Sequence, residues 1–274
     1  MVEAFFLEAP DGGQRYCLFH SSTAAPRALL LYIPPFAEEL NKTRRMAALQ
    51  SRALAEAGIA VLQIDLKGCG DSSGDFGDAS WQAWLDDITL ARQWLQARHP
   101  GLPLWLWGLR AGCLLASAAA QAQPGVAGQL WWQPPASGKL LAQQWLRLKA
   151  AGEMLGGGAN AAKGAMDQLR QQLAAGEAVE IAGYTCAASL ILGLEAATLQ
   201  APGPQALIWL ELSRDAEAPA LTPVATKQID AWRAAGTPLT AEAVSGPAFW
   251  ATTEIEEAPL LLQATRRLLL EALS

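Results

Sequence analysis

The chain has 274 residues and is 51% hydrophobic, enough for one large domain with a sizeable core. A net charge of −6 and an isoelectric point near 5.0 argue against a nucleic-acid partner, and no Lys/Arg cluster offsets them. No run approaches ~18 apolar residues, so no membrane span is predicted. MVEAFFLEAPDGG has an early acid and no basic stretch, so no secretory leader is predicted either. Cys17, Cys69, Cys113 and Cys186 are scattered without a C-x-x-C pair. That suits a reducing cytoplasm and gives no metal-ligand spacing, so neither metal nor cofactor is expected.

Ala4 to Leu7 and Gln14 to Ser21 flank the turn Asp11-Gly12-Gly13 and predict an antiparallel hairpin. Arg27 to Ile33 is a continuous apolar run, as in a strand buried on both faces, and Pro34-Pro35 stops it. A helix is predicted from near Thr43 to before Gly58, with Met46, Leu49 and Leu54 inward. Ile59 to Leu66 is the next strand, and Lys67 to Gly74 a polar loop whose Ser72 and Ser73 are expected to bond locally. Trp81 to Gln96 is an amphipathic helix. Leu104 to Trp107 is a short buried strand, followed by a glycine turn and the Ala-rich helix Ala111 to Gln121. Gly128 to Gln133 is a further strand. This alternation implies right-handed crossovers and a mainly parallel sheet.

The regularity breaks between Ser137 and Leu199, where two helical patterns flank Gly156-Gly157-Gly158. Residues 137–200 read as a helical cap inserted into a core made of residues 1–136 and 201–274. Strand–helix alternation then resumes with Gln205 to Leu212, Thr222 to Ala235, Leu239 to Val244 and Ala258 to Leu273. Eight strands result, with helices on both faces.

Gly108-Leu109-Arg110-Ala111-Gly112 has the frame of a nucleophile elbow, G-x-S-x-G, with arginine at the central position. Arginine stays protonated and cannot attack a carbonyl. The order of elements resembles the α/β-hydrolase superfamily throughout the chain. The stretches IPPFAEELNKTRRM, LWGLRAGCLLA and GPAFWATTEIEEAPLL resemble the exosortase A system-associated hydrolases, type two. That resemblance implies a place beside exopolysaccharide and protein-sorting loci, working from the cytoplasm.

An α/β-hydrolase triad runs in the order Ser, Asp/Glu, His. The serine position is Arg110. The acid position fits Asp215, with a loop acid beside Arg214 as the plainer alternative. The histidine position falls near Pro247, and no histidine follows His99. His20 and His99 read as surface or helix-cap residues. The oxyanion loop after the Arg27–Ile33 strand is Pro34-Pro35-Phe36-Ala37-Glu38-Glu39, where Pro35 has no N–H and two carboxylates would repel an oxyanion. Cys113, in the first turn of the elbow helix beside Arg110, has the surroundings that lower a thiol pKa; the plainer reading is a small buried hydrophobe. Cys69 is expected near the same rim, inert without a histidine partner.

A charge at the elbow apex needs a partner. Either Arg110 pairs bidentately with Glu38 or Glu39, or it joins the Ala111 N–H in binding an anion. Phe36, Trp81, Trp131, Trp132, Phe249 and Trp250 are expected near the rim, with one of Trp131 and Trp132 facing the cap. The catalytic candidates are Arg110, Cys113 and Asp215; the binding candidates are Phe36, Glu38, Glu39, Arg110, Ala111 and Trp250. These residues favour a triad-deficient protein that binds a small, anionic ligand or a partner, the latter a companion hydrolase or a second copy. The alternative is a hydrolase of esters or acyl-sugars using Cys113 or a carboxylate-activated water.

Overall fold

The computed structural model describes residues 1–22 and 24–274, with the side chains of 149–163 and 165 outside the described set. Its central sheet has eight strands: β1 (Val2–Glu8), β2 (Gln14–His20), β3 (Ala28–Ile33), β4 (Ile59–Ile64), β5 (Leu104–Leu109), β6 (Gly128–Trp132), β9 (Ala206–Ser213) and β10 (Leu239–Ser245). They lie in the order β1-β2-β4-β3-β5-β6-β9-β10. The first two pairings are antiparallel and the rest are parallel. The alternation of strands and helices predicts this mainly parallel sheet, and the whole is the α/β-hydrolase fold that the order of elements resembles.

Strands buried on both faces explain the apolar runs. Along β3, Leu29, Leu31 and Ile33 pack with Trp84 and Leu114, while Ala28, Leu30 and Tyr32 pack with Met46 and Leu54. The first set meets α2 (Trp81–Arg98) and α3 (Ala111–Ala122); the second meets α1 (Ala37–Glu56). Farther along the sheet, α6 (Pro223–Ala234) sets Trp232 against Trp131 and Trp209, and α7 (Pro259–Ala272) covers Trp132 and Phe249. Trp131 and Trp132 do face opposite sides of β6, but neither faces the cap: both are fully buried in the core. Phe249 is likewise a core residue, not a rim residue.

Helix α1 starts at Ala37, six residues before the expected Thr43. Phe36 is extended at its N-cap, and Glu38 and Glu39 occupy its first turn, where carboxylates meet the positive end of the helix. The acids thus belong to a helix terminus rather than to a loop.

The cap also differs from its expected form. One helix, α4 (Gly138–Ala174), runs through the glycine triplet in place of two. It is followed by a hairpin, β7 (Val179–Ile181) and β8 (Tyr184–Cys186), and by α5 (Ala188–Ala196). Ala182 and Gly183 turn the hairpin with φ of 51° and 84°, the geometry of a two-residue connection. An aromatic cluster joins cap to core: Phe36 lies 4.8 Å from Trp145 of α4 and 5.7 Å from Trp84 of α2, centroid to centroid, and Phe76 lies 5.3 Å from Tyr184 of β8.

Several polar residues work harder than the sequence suggests. Ser72 and Ser73 do not bond only within their loop; they accept the Tyr16 and Gln14 N–H groups of β2, both at 2.9 Å. Arg44 and Arg45 of α1 pair with Asp65 at 3.0 Å and with Glu257. His20 is buried rather than at the surface. His99 ends α2, as expected.

Candidate functional site

The elbow is formed as its glycines dictate. β5 packs so closely on α3 that a Cβ on Gly108 would stand 2.5 Å from the Gly112 carbonyl oxygen. Arg110, between strand and helix, has φ 55° and ψ −119°. Such a backbone costs a non-glycine residue about 1–3 kcal/mol and persists only where its surroundings enforce it. The chain therefore keeps the strained apex of an elbow and puts a guanidinium on it.

That guanidinium enters a cavity of about 500 Å³ beneath the cap. Phe36, Glu38, Glu39, Arg110 and Trp250 line it together, as a shared site requires. Arg110 Nε donates to Glu39 Oε1 at 3.2 Å and Oε2 at 3.4 Å, and Nη2 donates to Oε1 at 3.2 Å. The expected pairing exists, but skewed: both nitrogens converge on one oxygen instead of forming a parallel fork. Trp250, in the loop after β10 where a triad histidine would stand, places its ring 5.4 Å from Arg110 Cζ. Burial pushes the Glu39 carboxyl above its usual range, and Arg110 opposes that rise. Glu38 is exposed at the mouth.

Three of the candidate site residues, Ala111, Cys113 and Asp215, fall elsewhere. Ala111 is buried and does not line the cavity, although its N–H opens α3. Cys113 is fully buried, and its thiol donates to the Trp132 carbonyl at 3.4 Å. Burial raises its pKa well above the ordinary thiol value, against the lowering expected from the helix terminus and Arg110. Cys69 is buried too, its thiol pushed up to about 12. Asp215 is exposed beyond β9, where its Oδ1 accepts the Glu217 and Ala218 N–H groups at 3.0 Å each.

Other lining residues escaped the sequence. Leu141, Gln144, Trp145 and Leu148 form one stripe of α4 over the cavity. Their i, i+3, i+4, i+7 spacing was a signal, but spacing alone does not say what the stripe faces. Lys42 Nζ donates to the Thr252 carbonyl at 2.6 Å and so ties α1 to the loop that carries Trp250. No Ser, Cys or His is among the described lining residues. Among the described residues there is also no cluster of three His, Cys, Asp or Glu placed to hold a metal ion, and no helix long and apolar enough to cross a membrane. The site offers an anion receptor beside aromatic and aliphatic walls.

The family model described as "Serine aminopeptidase, S33" matches residues 24–174. Protein ABHD12B of Homo sapiens is 26% identical over 109 residues, which is 40% of this chain and 29% of that protein. The match therefore spans less than a third of that relative's length. Among solved structures, Est1E from Butyrivibrio proteoclasticus with ferulic acid bound is 16% identical, with a TM-score of 0.66 over 98% of this chain and 99% of that one. A thermostable carboxyl esterase from Bacillus coagulans in complex with glycerol is 13% identical, with the same TM-score over 100% and 99%. At these identities the structural likeness establishes the fold alone.

Proposed function

The chain belongs to the serine aminopeptidase S33 family of the α/β-hydrolase superfamily, and we propose that within it this protein is a non-catalytic, ligand-binding homologue. The observation that carries this reading is the Arg110–Glu39 ion pair at the elbow apex, where acyl transfer needs a nucleophile. A guanidinium cannot form an acyl-enzyme, and no histidine follows His99 to act as base. What remains is a pocket of small-molecule size with a cation on its floor. Est1E and the Bacillus esterase bear on it only as examples of the fold, with hydrolase chemistry as the starting point from which this chain departs.

The three stretches named above support a finer placement: an exosortase A system-associated protein acting in the cytoplasm, in exopolysaccharide-linked envelope biogenesis. A companion hydrolase or a second copy is the partner such a pseudoenzyme would serve.

The experiment is hydrolysis of short-chain p-nitrophenyl esters by the purified protein, with Cys113→Ala alongside. The expected rate equals that of buffer for both. Turnover that disappears in Cys113→Ala would sink the non-catalytic reading and make the buried thiol a nucleophile that the cap uncovers.

A further inference from the structure

We propose that Glu39 occupies the place of the ligand's own anion, so that the cavity's ligand is an organic monocarboxylate with an apolar body, which takes Arg110 by displacing Glu39. This rests on the ligand-binding reading above and names the chemistry of that site.

The pair is looser than a charge-assisted contact need be. Its three N···O distances are 3.2, 3.4 and 3.2 Å, against roughly 2.7–2.9 Å for a well-made guanidinium–carboxylate bond. The tether explains this. Glu39 sits in the first turn of α1, and from there its carboxylate reaches Nε and Nη2 with one oxygen rather than two. Among the described residues, Arg110 Nη1 has no hydrogen-bond partner. A carboxylate free of the backbone can align both oxygens with the guanidinium edge, so it competes from a better geometry.

The pair is also within reach. The side chains of Arg110 and Glu39 keep 16% and 28% of their surface open, and both line the cavity. Next to the guanidinium the walls turn apolar. Trp250 lies on one side, and Phe36 and Trp145 meet edge to face, 4.8 Å apart, under the cap. These rings accept the body of an amphiphile whose charged end sits on Arg110.

Charge selects the anion. Glu38 and Glu39 balance Lys42 and Arg110 around the cavity. Glu39, displaced by either anion, stays tethered beside the site, so a monocarboxylate adds one negative charge next to Glu38 and Glu39 and a phosphate dianion adds two. Burial already favours the neutral form of Glu39, so losing Arg110 leaves it a protonated state to fall back on.

The test is calorimetric titration of the wild type, Glu39→Gln and Arg110→Gln with three probes: 4-phenylbutanoate, 4-phenylbutanol and 4-phenylbutyl phosphate. Circular dichroism checks each fold, and Glu39→Ser replaces Glu39→Gln should the amide disturb it. The expected result is 4-phenylbutanoate binding about tenfold tighter to Glu39→Gln than to wild type, with no such gain for the alcohol and none for Arg110→Gln. Equal carboxylate affinity in wild type and Glu39→Gln, or a loss in the variant, overturns the displacement while leaving the ligand pocket standing. Phosphate preferred over carboxylate overturns the ligand class. Binding of none of the three by any folded variant overturns both this inference and the ligand-binding reading beneath it.

Discussion

A Cβ placed on Gly112 would stand 2.1 Å from the Ile33 carbonyl oxygen, with the Ile33 carbonyl carbon and the Pro34 oxygen both at 2.9 Å. All three atoms are backbone, so no side chain can swing away. The elbow helix and the end of β3 are thereby locked together, close in sequence to Arg110 and Phe36 of the cavity wall. Gly112→Ala is expected to cost about 3 kcal/mol or more, at the upper end of overpacking substitutions. Urea unfolding measures it; a midpoint within error of wild type would mean that the two segments part easily.

The role of Arg110 divides between strain and pairing, and two substitutions separate them. Arg110→Ala keeps the positive φ and removes the partner of Glu39. The expected loss is about 1–2 kcal/mol, modest because both side chains are partly open to solvent. Arg110→Gly removes the same partner but also relieves the backbone strain, so it should be less destabilised than Arg110→Ala. Equal midpoints for the two variants would mean that the apex carries no strain; an unchanged midpoint for Arg110→Ala would mean that the ion pair stabilises nothing.

The elements of the sheet were legible because a strand buried on both faces leaves an apolar run, unbroken in β3 and β5 and interrupted only by Gln63 in β4. The elbow was legible from Gly108 and Gly112, whose lack of a Cβ is a steric requirement. The start of α1 was not. Pro34-Pro35 followed by two acids reads as loop, and only the fold reveals that Glu38 and Glu39 sit on a helix terminus. Trp145 was missed for a different reason. Its stripe on α4 has ordinary amphipathic spacing, and the choice between core and cavity depends on where the cap docks. At Cys113 the plainer of the two readings holds: proximity in sequence to a cation and a helix terminus offered an activated thiol, but complete burial makes it a small core residue.

His20 gives the fold an acid-sensitive joint. It is 3% exposed on β2, and its Nε2 lies 3.2 Å from Gln63 Nε2, a contact in which the neutral ring accepts. Burial is the main cause that holds its pKa down, from 6.5 to about 4, with Arg52 and the chain's N-terminal amine adding to it. Between those values the unfolded chain binds a proton that the folded one refuses, so stability is full above pH 6.5 and falls as the pH drops toward 4. The span is worth about 3 kcal/mol. Melting curves of wild type and His20→Gln over this range check it. The difference between them should be constant above pH 7 and should shift in favour of the variant below 6.5; parallel curves would place the acid sensitivity elsewhere.

Arg15 and Asp87 form the most deeply buried ion pair among the described residues, 2% and 3% exposed, with Nε donating to Oδ1 at 2.6 Å. Asp87 also accepts the Lys67 N–H at 2.7 Å through Oδ2, and Arg15 reaches Asp11 at 2.8 Å. The pair thus pins the N-terminal hairpin and the loop after β4 to α2, and none of these side chains lines the cavity. Replacing both partners by apolar residues need not be costly, but removing Asp87 leaves the buried Arg15 only the half-exposed Asp11 as its charge partner. Asp87→Asn should therefore lower stability by about 3–5 kcal/mol, while 4-phenylbutanoate binding, measured at a temperature where the variant stays folded, stays at the wild-type value. Arg15→Met combined with Asp87→Leu should recover much of the loss. If the single and double variants are equally unstable, packing around Asp87 rather than the weakened pairing of Arg15 sets the cost.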